Sequence, residues 1–394
     1  MNEPVARNPV IASSRIGFSG HRPEFRRLLV RGALLELVTV GFYRFWLATD
    51  MRRHLWSSTS VADDALEYTG TAKELLIGFL FALAILVPIY VIYFLVGLEA
   101  ERAQAFASIP LVLFFYLFAQ FAIYRARRYR LTRTVWRGVR FWMVGSGMDY
   151  AWRAALWSLL VAISLGFALP WRQAALERFK MRHTSYGDLP GRFDGTGAGL
   201  FKRGWWLWVL AIAAVVAQSA AGAHPKTVFF APLFLIAWPF IYAAFKAIEW
   251  QWWVSGIRFG DVRFEADMAR GALIGLYWKV VGWFVLLLVG LMMWFAVVGG
   301  IAYGLSEFTG SASQKVALSL QHPAVLVGMV LGYVGVALAL NVVVRLYLTH
   351  DVWEQVAASA TVHHLDAAEN VAAQGRMVSA LGEGFADSLD VGGF

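Results

Sequence analysis

The chain has 394 residues, of which 59% are hydrophobic and 15% are charged, and its mean hydropathy is +0.57. A soluble domain normally carries about 25% charged residues, so much of this surface must face something other than water. The net charge of +9 arises from basic residues beside apolar segments, which indicates contact with anionic membrane lipids and argues against nucleic acid. The sequence has no cysteine, which excludes disulfides and thiolate metal sites.

The first 14 residues form a polar N-terminal tail, predicted to be cytoplasmic, without the apolar core of a signal peptide. Six apolar segments follow, each read as a helix crossing a hydrocarbon layer of about 30 Å. They fall into three pairs with short connections, and the segments are residues 75–98, 109–124, 204–221, 228–245, 272–303 and 324–348. The chain therefore divides into membrane repeat 1 (15–135), membrane repeat 2 (136–253), a third membrane unit (254–350) and a cytoplasmic C-terminal tail (351–394).

Basic residues set the predicted orientation of these helices. The connections within each pair hold one basic residue each, whereas the segments between pairs are rich in arginine and lysine. Positive charge resists translocation, so the segments between pairs are predicted to be cytoplasmic. Both termini are then predicted to be cytoplasmic.

Two further apolar stretches, residues 25–47 and 150–171, have basic residues on both sides. A full crossing would put one basic flank outside, so we interpret each stretch as an interfacial or re-entrant helix in preference to a span. Breaks in the two helices are predicted at Gly41, and at Gly166 with Pro170.

The chain resembles itself at an offset of 125 residues. Residues 41–46 correspond to 166–171, Thr59 to Thr184 and Asp63 to Asp188, and short β-hairpin-like segments lie at 56–68 and 187–191. The repeats are parallel if the two ambiguous helices do not cross the membrane, and inverted, as in many secondary transporters, if they do. The predicted fold is an all-α polytopic membrane protein with about six transmembrane helices and two interfacial helices.

Four short motifs in the first 80 residues resemble the YjgN family of bacterial inner-membrane proteins. They are Phe18-Ser19-Gly20, residues 39–46 (TVGFYRFW), Arg52-Arg53 and Tyr68-Thr69-Gly70. The sequence departs mildly from the family pattern at Val40, Phe42 and His54. The resemblance implies an inner-membrane location and a domain of unknown function, and it suggests a membrane-linked metallopeptidase as a partner.

Charges at membrane depth are the main candidates for function, because they are costly there without a partner or water. The candidates are Glu36, Arg31, Lys279, Asn341 and Arg345. The sequence contains no His-Glu-x-x-His, nucleophile elbow or Walker lysine motif, so we expect no enzymatic activity, metal or cofactor.

Two functions stay open on the sequence alone. The repeats and broken helices favour a transporter or channel for a small molecule or lipid. The polar segments on one side favour a scaffold or adaptor that binds another membrane protein or a second copy of the chain. An intramembrane enzyme is the least favoured hypothesis.

Overall fold

The computed structural model describes residues 13–102, 108–223, 236–305, 323–375 and 387. The predicted N-terminal tail up to residue 12, most of the connections within the three span pairs and most of the tail beyond residue 375 lie outside the described residues.

The described residues contain an eleven-stranded antiparallel sheet, so the prediction of an all-α fold is wrong. The strands are β1 (Ser13–Phe18), β2 (Thr59–Val61), β3 (Asp64–Ala65), β4 (Glu67–Tyr68), β5 (Thr134–Trp136), β6 (Val139–Met143), β7 (Thr184–Tyr186), β8 (Leu189–Phe193), β9 (Ile257–Phe259), β10 (Val262–Ala266) and β11 (Ala360–His363). The sheet order is β3-β2-β1-β11-β10-β9-β8-β7-β6-β5-β4. Its two end strands, β3 and β4, are separated in the chain by Leu66 alone, so the sheet curls into a nearly closed barrel.

Tight turns at one end of the barrel join successive strands. Arg137 and Gly138 both have positive φ (47° and 73°), as a two-residue type I′ turn requires, and Ala62-Asp63 has the same character (49° and 66°). β1 and β11, the first and last strands in the chain, pair antiparallel without a connecting turn, with Ser14 opposite Val362. Strands of two to six residues are stable here only because each has neighbours that complete its hydrogen bonding.

Helices arranged in pairs fill the remaining connections. They are α1 (Arg22–Val38) and α2 (Arg44–Ser57), α3 (Ala72–Arg102) and α4 (Ser108–Thr132), α5 (Gly147–Ile163) and α6 (Leu169–Arg182), α7 (Gly197–Ala223) and α8 (Ala237–Gly256), then α9 (Ile274–Leu305) and α10 (Pro323–Val344). A π-helical segment (Arg345–Asp351) continues α10 into α11 (Val352–Ser359). Each pair joins two antiparallel strands, so these helices leave the same end of the barrel, opposite the hairpin turns, the start of β1 and the end of β11.

Among the described residues, four helices are long and apolar enough to cross a membrane, in agreement with the prediction of membrane-length helices. They are Ala72–Gly97, Gly197–Gly222, Ile274–Ile301 and Val325–Ser359. Between 0% and 17% of their most apolar windows are buried inside the protein, so their side chains face outward. Such a surface is stable next to lipid hydrocarbon and costly in water.

The two shorter apolar stretches are helical hairpins, where a single helix was predicted for each. Gly41 (φ +87°) and Gly166 (φ +93°) adopt the left-handed conformation at the two turns. The N–H of Gly41 donates to the carbonyl of Glu36 at 2.6 Å, and that of Gly166 donates to the carbonyl of Val161 at 2.8 Å. A left-handed residue with this bonding ends a helix, so the chain reverses between α1 and α2 and between α5 and α6.

Candidate functional site

A cavity of about 610 Å³ runs along the barrel and continues between the helices. Its barrel wall is apolar and comprises Val61, Trp136, Phe141, Tyr186, Leu189, Phe259, Val262, Phe264 and Val362. Buried Leu365 and Ala368, from a short 3-10 helix (Leu365–Ala368), line the end beside the hairpin turns. This segment lies at the turn end because the N–H of Ala372 donates to Asp188 in the β7–β8 turn at 3.1 Å.

The helices that descend into the barrel present equivalent positions to the cavity. In α4, α6, α8 and α11, the residues seven before the next strand all line it: Arg127, Glu177, Trp250 and Trp353. The residues four before the strand do so as well: Arg130, Lys180, Trp253 and Val356. Residues three or four apart share one face of a helix, so each helix turns the same stripe inward.

A threonine fixes this register at three of the junctions. Each threonine is the first residue of a strand, and its hydroxyl donates to the helical carbonyl four residues earlier. The bonds are Thr59 to Leu55 (2.7 Å), Thr134 to Arg130 (2.9 Å) and Thr184 to Lys180 (2.9 Å). The bond ties the last helical turn to the strand. Before β5 and β7 the side chains four and seven positions earlier point into the cavity, whereas Leu55 and Arg52 before β2 do not line it.

Seven charged or amide side chains line the helix end of the cavity, and we call them the collar: Arg127, Arg130, Gln173, Glu177, Lys180, Lys246 and Glu249. Glu177 lies at the centre of one cluster. Its carboxylate accepts hydrogen bonds from Arg127 and from the indole N–H of Trp253, both at 3.0 Å, and it pairs with Lys180. Such bonds hold a buried carboxylate ionised.

Glu249 lies at the centre of the second cluster. Its two carboxylate oxygens accept from Nε2 of Gln173 at 2.5 Å and from Nζ of Lys246 at 2.7 Å. Among the described residues, Oε1 of Gln173 is buried without a hydrogen-bond partner. A buried acceptor of this kind is costly unless a donor meets it, so the amide favours a ligand that carries a hydroxyl or another donor.

A third ionic contact joins α2 and α4. Asp387, from the C-terminal part of the chain, pairs with both terminal nitrogens of Arg52, and one of these contacts is 3.1 Å. Its Oδ1 also lies 3.4 Å from Nε of Arg130 in the collar. Both partners of the Arg52–Asp387 pair are almost fully buried, with side chains 4% and 3% exposed. The position therefore accepts a carboxylate between two guanidinium groups.

The collar perturbs the pKa values of its members in opposite directions. Burial raises the pKa of Glu177, but the charges of Lys180 and Arg127 and two hydrogen bonds outweigh it and lower the pKa to about 2. Burial lowers the pKa of Lys180, and repulsion by Arg127 and Arg130 adds to this effect against the attraction of Glu177. Burial likewise lowers the pKa of Arg130. These cations are therefore only partly compensated by the carboxylates that face them.

None of the residues predicted from the sequence lines the cavity. Glu36 and Arg345 do come together as an ion pair, with Oε1 and a guanidinium nitrogen 3.5 Å apart. Arg31 is exposed on α1, Asn341 is exposed on α10, and Nζ of Lys279 lies 5.9 Å from the centre of the Tyr347 ring. The predicted helix breaks are structural: Gly41 and Gly166 form the two turns, and buried Pro170 lies in the first turn of α6.

One group of side chains has a spacing suited to a metal ion. Ligand atoms of His350, Asp351 and Glu354 lie within 4.8 Å of one another. However, Nε of Arg22 donates to both carboxylate oxygens of Asp351, at 3.0 and 3.1 Å. The guanidinium already satisfies this carboxylate and would repel a cation, so we assign no metal to the cluster.

A local pattern in the sequence marks the helix-to-strand junctions, although it did not reveal the cavity. Arg52-Arg53-His54 precedes Thr59, and Arg127-Arg128-Tyr129 precedes Thr134, at the same spacing. The first residues of β2, β5, β7, β9 and β11 are separated by 75, 50, 73 and 103 residues, and this uneven spacing hides the correspondence from a search at one fixed offset.

Comparison with known families gives one match. The family described as "Bacterial protein of unknown function (DUF898)" matches residues 13–233, which is more than half of the 394-residue chain and covers β1 to β8 with the first five collar residues. Comparison with curated proteins and with solved structures found no match. The chain therefore belongs to the DUF898 family of bacterial proteins, whose function is unknown.

Proposed function

We propose that the protein binds an amphipathic molecule of the lipid class in its barrel cavity and carries it between the membrane and the aqueous phase. The observation that carries the proposal is the division of one cavity into an apolar barrel wall and a charged collar next to the membrane-length helices. A ligand with an apolar chain would place the chain against Trp136 and Phe259, and its polar group among collar side chains.

The size of the cavity supports a small ligand of this kind. Its volume of about 610 Å³ falls within the range of about 300–1,000 Å³ that is usual for small-molecule sites. Four tryptophans, Trp56, Trp250, Trp253 and Trp353, also line the cavity, and the last three lie at the same helical level as the collar. An indole ring is apolar with one polar N–H, which suits the boundary between a chain and a head group.

Mass spectrometry of the protein purified in mild detergent tests the proposal directly. We expect co-purified lipid on the native protein, and its loss when Val362→Phe fills the cavity. Val362 is 1% exposed and lines the barrel, whereas Val135, the middle residue of β5, is not among the lining residues. Val135→Phe is therefore the matched control and should retain lipid. Equal lipid content in both variants, with both monodisperse, would refute a ligand in the barrel.

Carriage requires a second experiment. Proteoliposomes should release a fluorescent single-chain lipid through the aqueous phase to protein-free acceptor vesicles faster than donor vesicles without protein, and Val362→Phe should abolish the difference. A protein that binds no lipid, moves none and always isolates with another membrane protein would instead favour the scaffold or adaptor function.

We further propose that the protein lies in the bacterial inner membrane with its barrel in the cytoplasm, in line with the YjgN resemblance. Support comes from the arginines Arg125, Arg127, Arg128, Arg130 and Arg133, which are clustered near the barrel end of α4. The start of β1 and the end of β11 lie at the turn end of the barrel and would then be cytoplasmic. A C-terminal green fluorescent protein should be fluorescent in cells, because that fusion does not fold when exported unfolded to the periplasm.

We also propose that duplicated strand-helix-helix-strand units gave rise to the chain. The equal turn geometry at Gly41 and Gly166, 125 residues apart, supports this origin. A tandem of two such units that assembles into a barrel would be the experimental evidence for it.

A further inference from the structure

We infer that the collar selects an anionic head group, and that the seat for the anion lies between Arg130 of α4 and Lys180 of α6. This inference rests on the proposed function, since it names the class of amphiphile that the cavity takes. The chemistry required is a phosphate or carboxylate on an apolar chain.

The balance of charge in the collar carries the argument. Four of its side chains are cations and two are carboxylates, so the polar end of the cavity has an excess of positive charge. Glu249 is engaged by Lys246 and Gln173, and Glu177 by Arg127, Lys180 and Trp253. Both collar carboxylates are thus already engaged, and Asp387 offsets part of the charge of Arg130, so an additional anion would balance the positive charge that remains.

The positions of the cations define the seat more closely. Arg130 and Lys180 occupy the same place, four residues before a strand, on descending helices that lead into β5 and β7. Both line the cavity, and burial lowers the pKa of each even though Lys180 pairs with Glu177 and Arg130 lies 3.4 Å from Asp387. An anion between them would remove part of that cost.

Asp387 shows that a carboxylate fits next to this seat. It forms a two-point contact with Arg52 and lies 3.4 Å from Nε of Arg130. A planar guanidinium binds carboxylate and phosphate in the same two-point manner, so the geometry that accepts Asp387 is suited to either anion.

Three twelve-carbon probes test the inference with the full-length protein in phosphatidylcholine nanodiscs. They are dodecyl phosphate, dodecanol and dodecyltrimethylammonium, which share a chain and differ in head-group charge. We expect dodecyl phosphate to bind about tenfold more tightly than dodecanol, because one charge-assisted contact has about that effect. Inorganic phosphate is the fourth probe and should bind far more weakly, since it lacks the chain. Empty nanodiscs provide the background for each probe.

Variants assign the preference to the seat. Lys180→Gln should reduce the preference for dodecyl phosphate over dodecanol about tenfold, whereas Lys180→Arg should retain it. Arg192→Gln is the control, because Arg192 on β8 pairs with Asp194, has a side chain 73% exposed and does not line the cavity. Thermal melting of each variant shows whether it is folded.

The outcomes separate this inference from the proposed function. Equal affinity for all three twelve-carbon probes would overturn anion selection while leaving an amphiphile-binding cavity in place. Binding of inorganic phosphate as tight as that of dodecyl phosphate would show a site for free anions only, and would overturn the assignment to a lipid head group. Failure of every twelve-carbon probe to bind would overturn both. An unchanged preference in folded Lys180→Gln would overturn the seat.

Discussion

The buried pair between Arg52 and Asp387 gives the sharpest test of the structure. Asp387→Asn keeps the size of the side chain and removes its charge. The guanidinium of Arg52 would then be left 4% exposed, with the Tyr68 hydroxyl at 3.2 Å as a neutral neighbour. Arg130, which shares the carboxylate, would lose the same partner.

The expected cost follows from the desolvation of charge. Removing one partner of a buried ion pair destabilises a protein by about 3–5 kcal/mol, because the remaining charge stays buried without compensation. Arg52 stays protonated, because the effect of burial is outweighed by the charge of Asp387 and the contact with Tyr68, which raise its pKa above the ordinary value. Replacing both partners by apolar residues, as in Arg52→Met with Asp387→Leu, should cost much less than either single change.

The assay is unfolding by sodium dodecyl sulfate in mild detergent micelles, followed by the fluorescence of the 18 tryptophans. Asp261→Asn is the control, because Asp261 is an exposed residue of the β9–β10 turn, and it should change the free energy of unfolding by less than about 0.5 kcal/mol. A loss below about 1 kcal/mol for Asp387→Asn, or additive costs in the double variant, would refute the buried pair.

Two further predictions concern the collar and the short hairpins. The pKa of Glu177 is about 2 in the folded protein against an ordinary 4.5. Its contribution to stability should therefore be complete above pH 4.5 and be lost as the pH falls towards 2. In acid titrations of unfolding, the native protein should lose up to about 3 kcal/mol more stability over this window than Glu177→Gln. Gly41→Ala and Gly166→Ala should each lower the melting temperature, since an alanine with positive φ costs about 1–2 kcal/mol. Gly166→Ala should be the worse of the two, because its Cβ would lie 3.2 Å from Trp208 whereas nothing lies within 4 Å of a Cβ at Gly41; equal melting temperatures would contradict this.

Local signals predicted the helices but not the barrel. Long apolar runs identify the membrane-length helices because span length depends only on composition within the run. The hairpin at residues 187–191 was also recognisable, since Gly187-Asp188 is typical turn chemistry. The strands themselves have two to six residues, too few to show a clear alternation, and the ring closes through β1 and β11, which lie at opposite ends of the chain. That closure depends on contacts between distant parts of the chain, so no local sequence pattern indicates it.

The collar escaped prediction for a related reason. Arg127, Arg130 and Lys180 lie in the basic segments between span pairs, and the sequence alone assigns their charge to the membrane surface. Which arginines point outward and which point inward depends on their distance from the strand that follows. Only the barrel makes that distance meaningful, because it turns the residues four and seven positions before β5, β7, β9 and β11 towards one axis.

The location of the cavity determines which of its parts can confer selectivity. Burial of a methylene group from water is worth about 0.8 kcal/mol, but an amphiphile dissolved in a bilayer already has its chain in hydrocarbon. Transfer of that chain to a barrel wall of Val61, Phe259 and Val362 therefore changes its free energy little. The head group, in contrast, exchanges hydration for the fixed donors of the collar, where partly compensated cations strengthen each contact. Probes with one chain and different head groups should therefore differ in affinity, whereas probes with one head group and chains of similar length should differ far less.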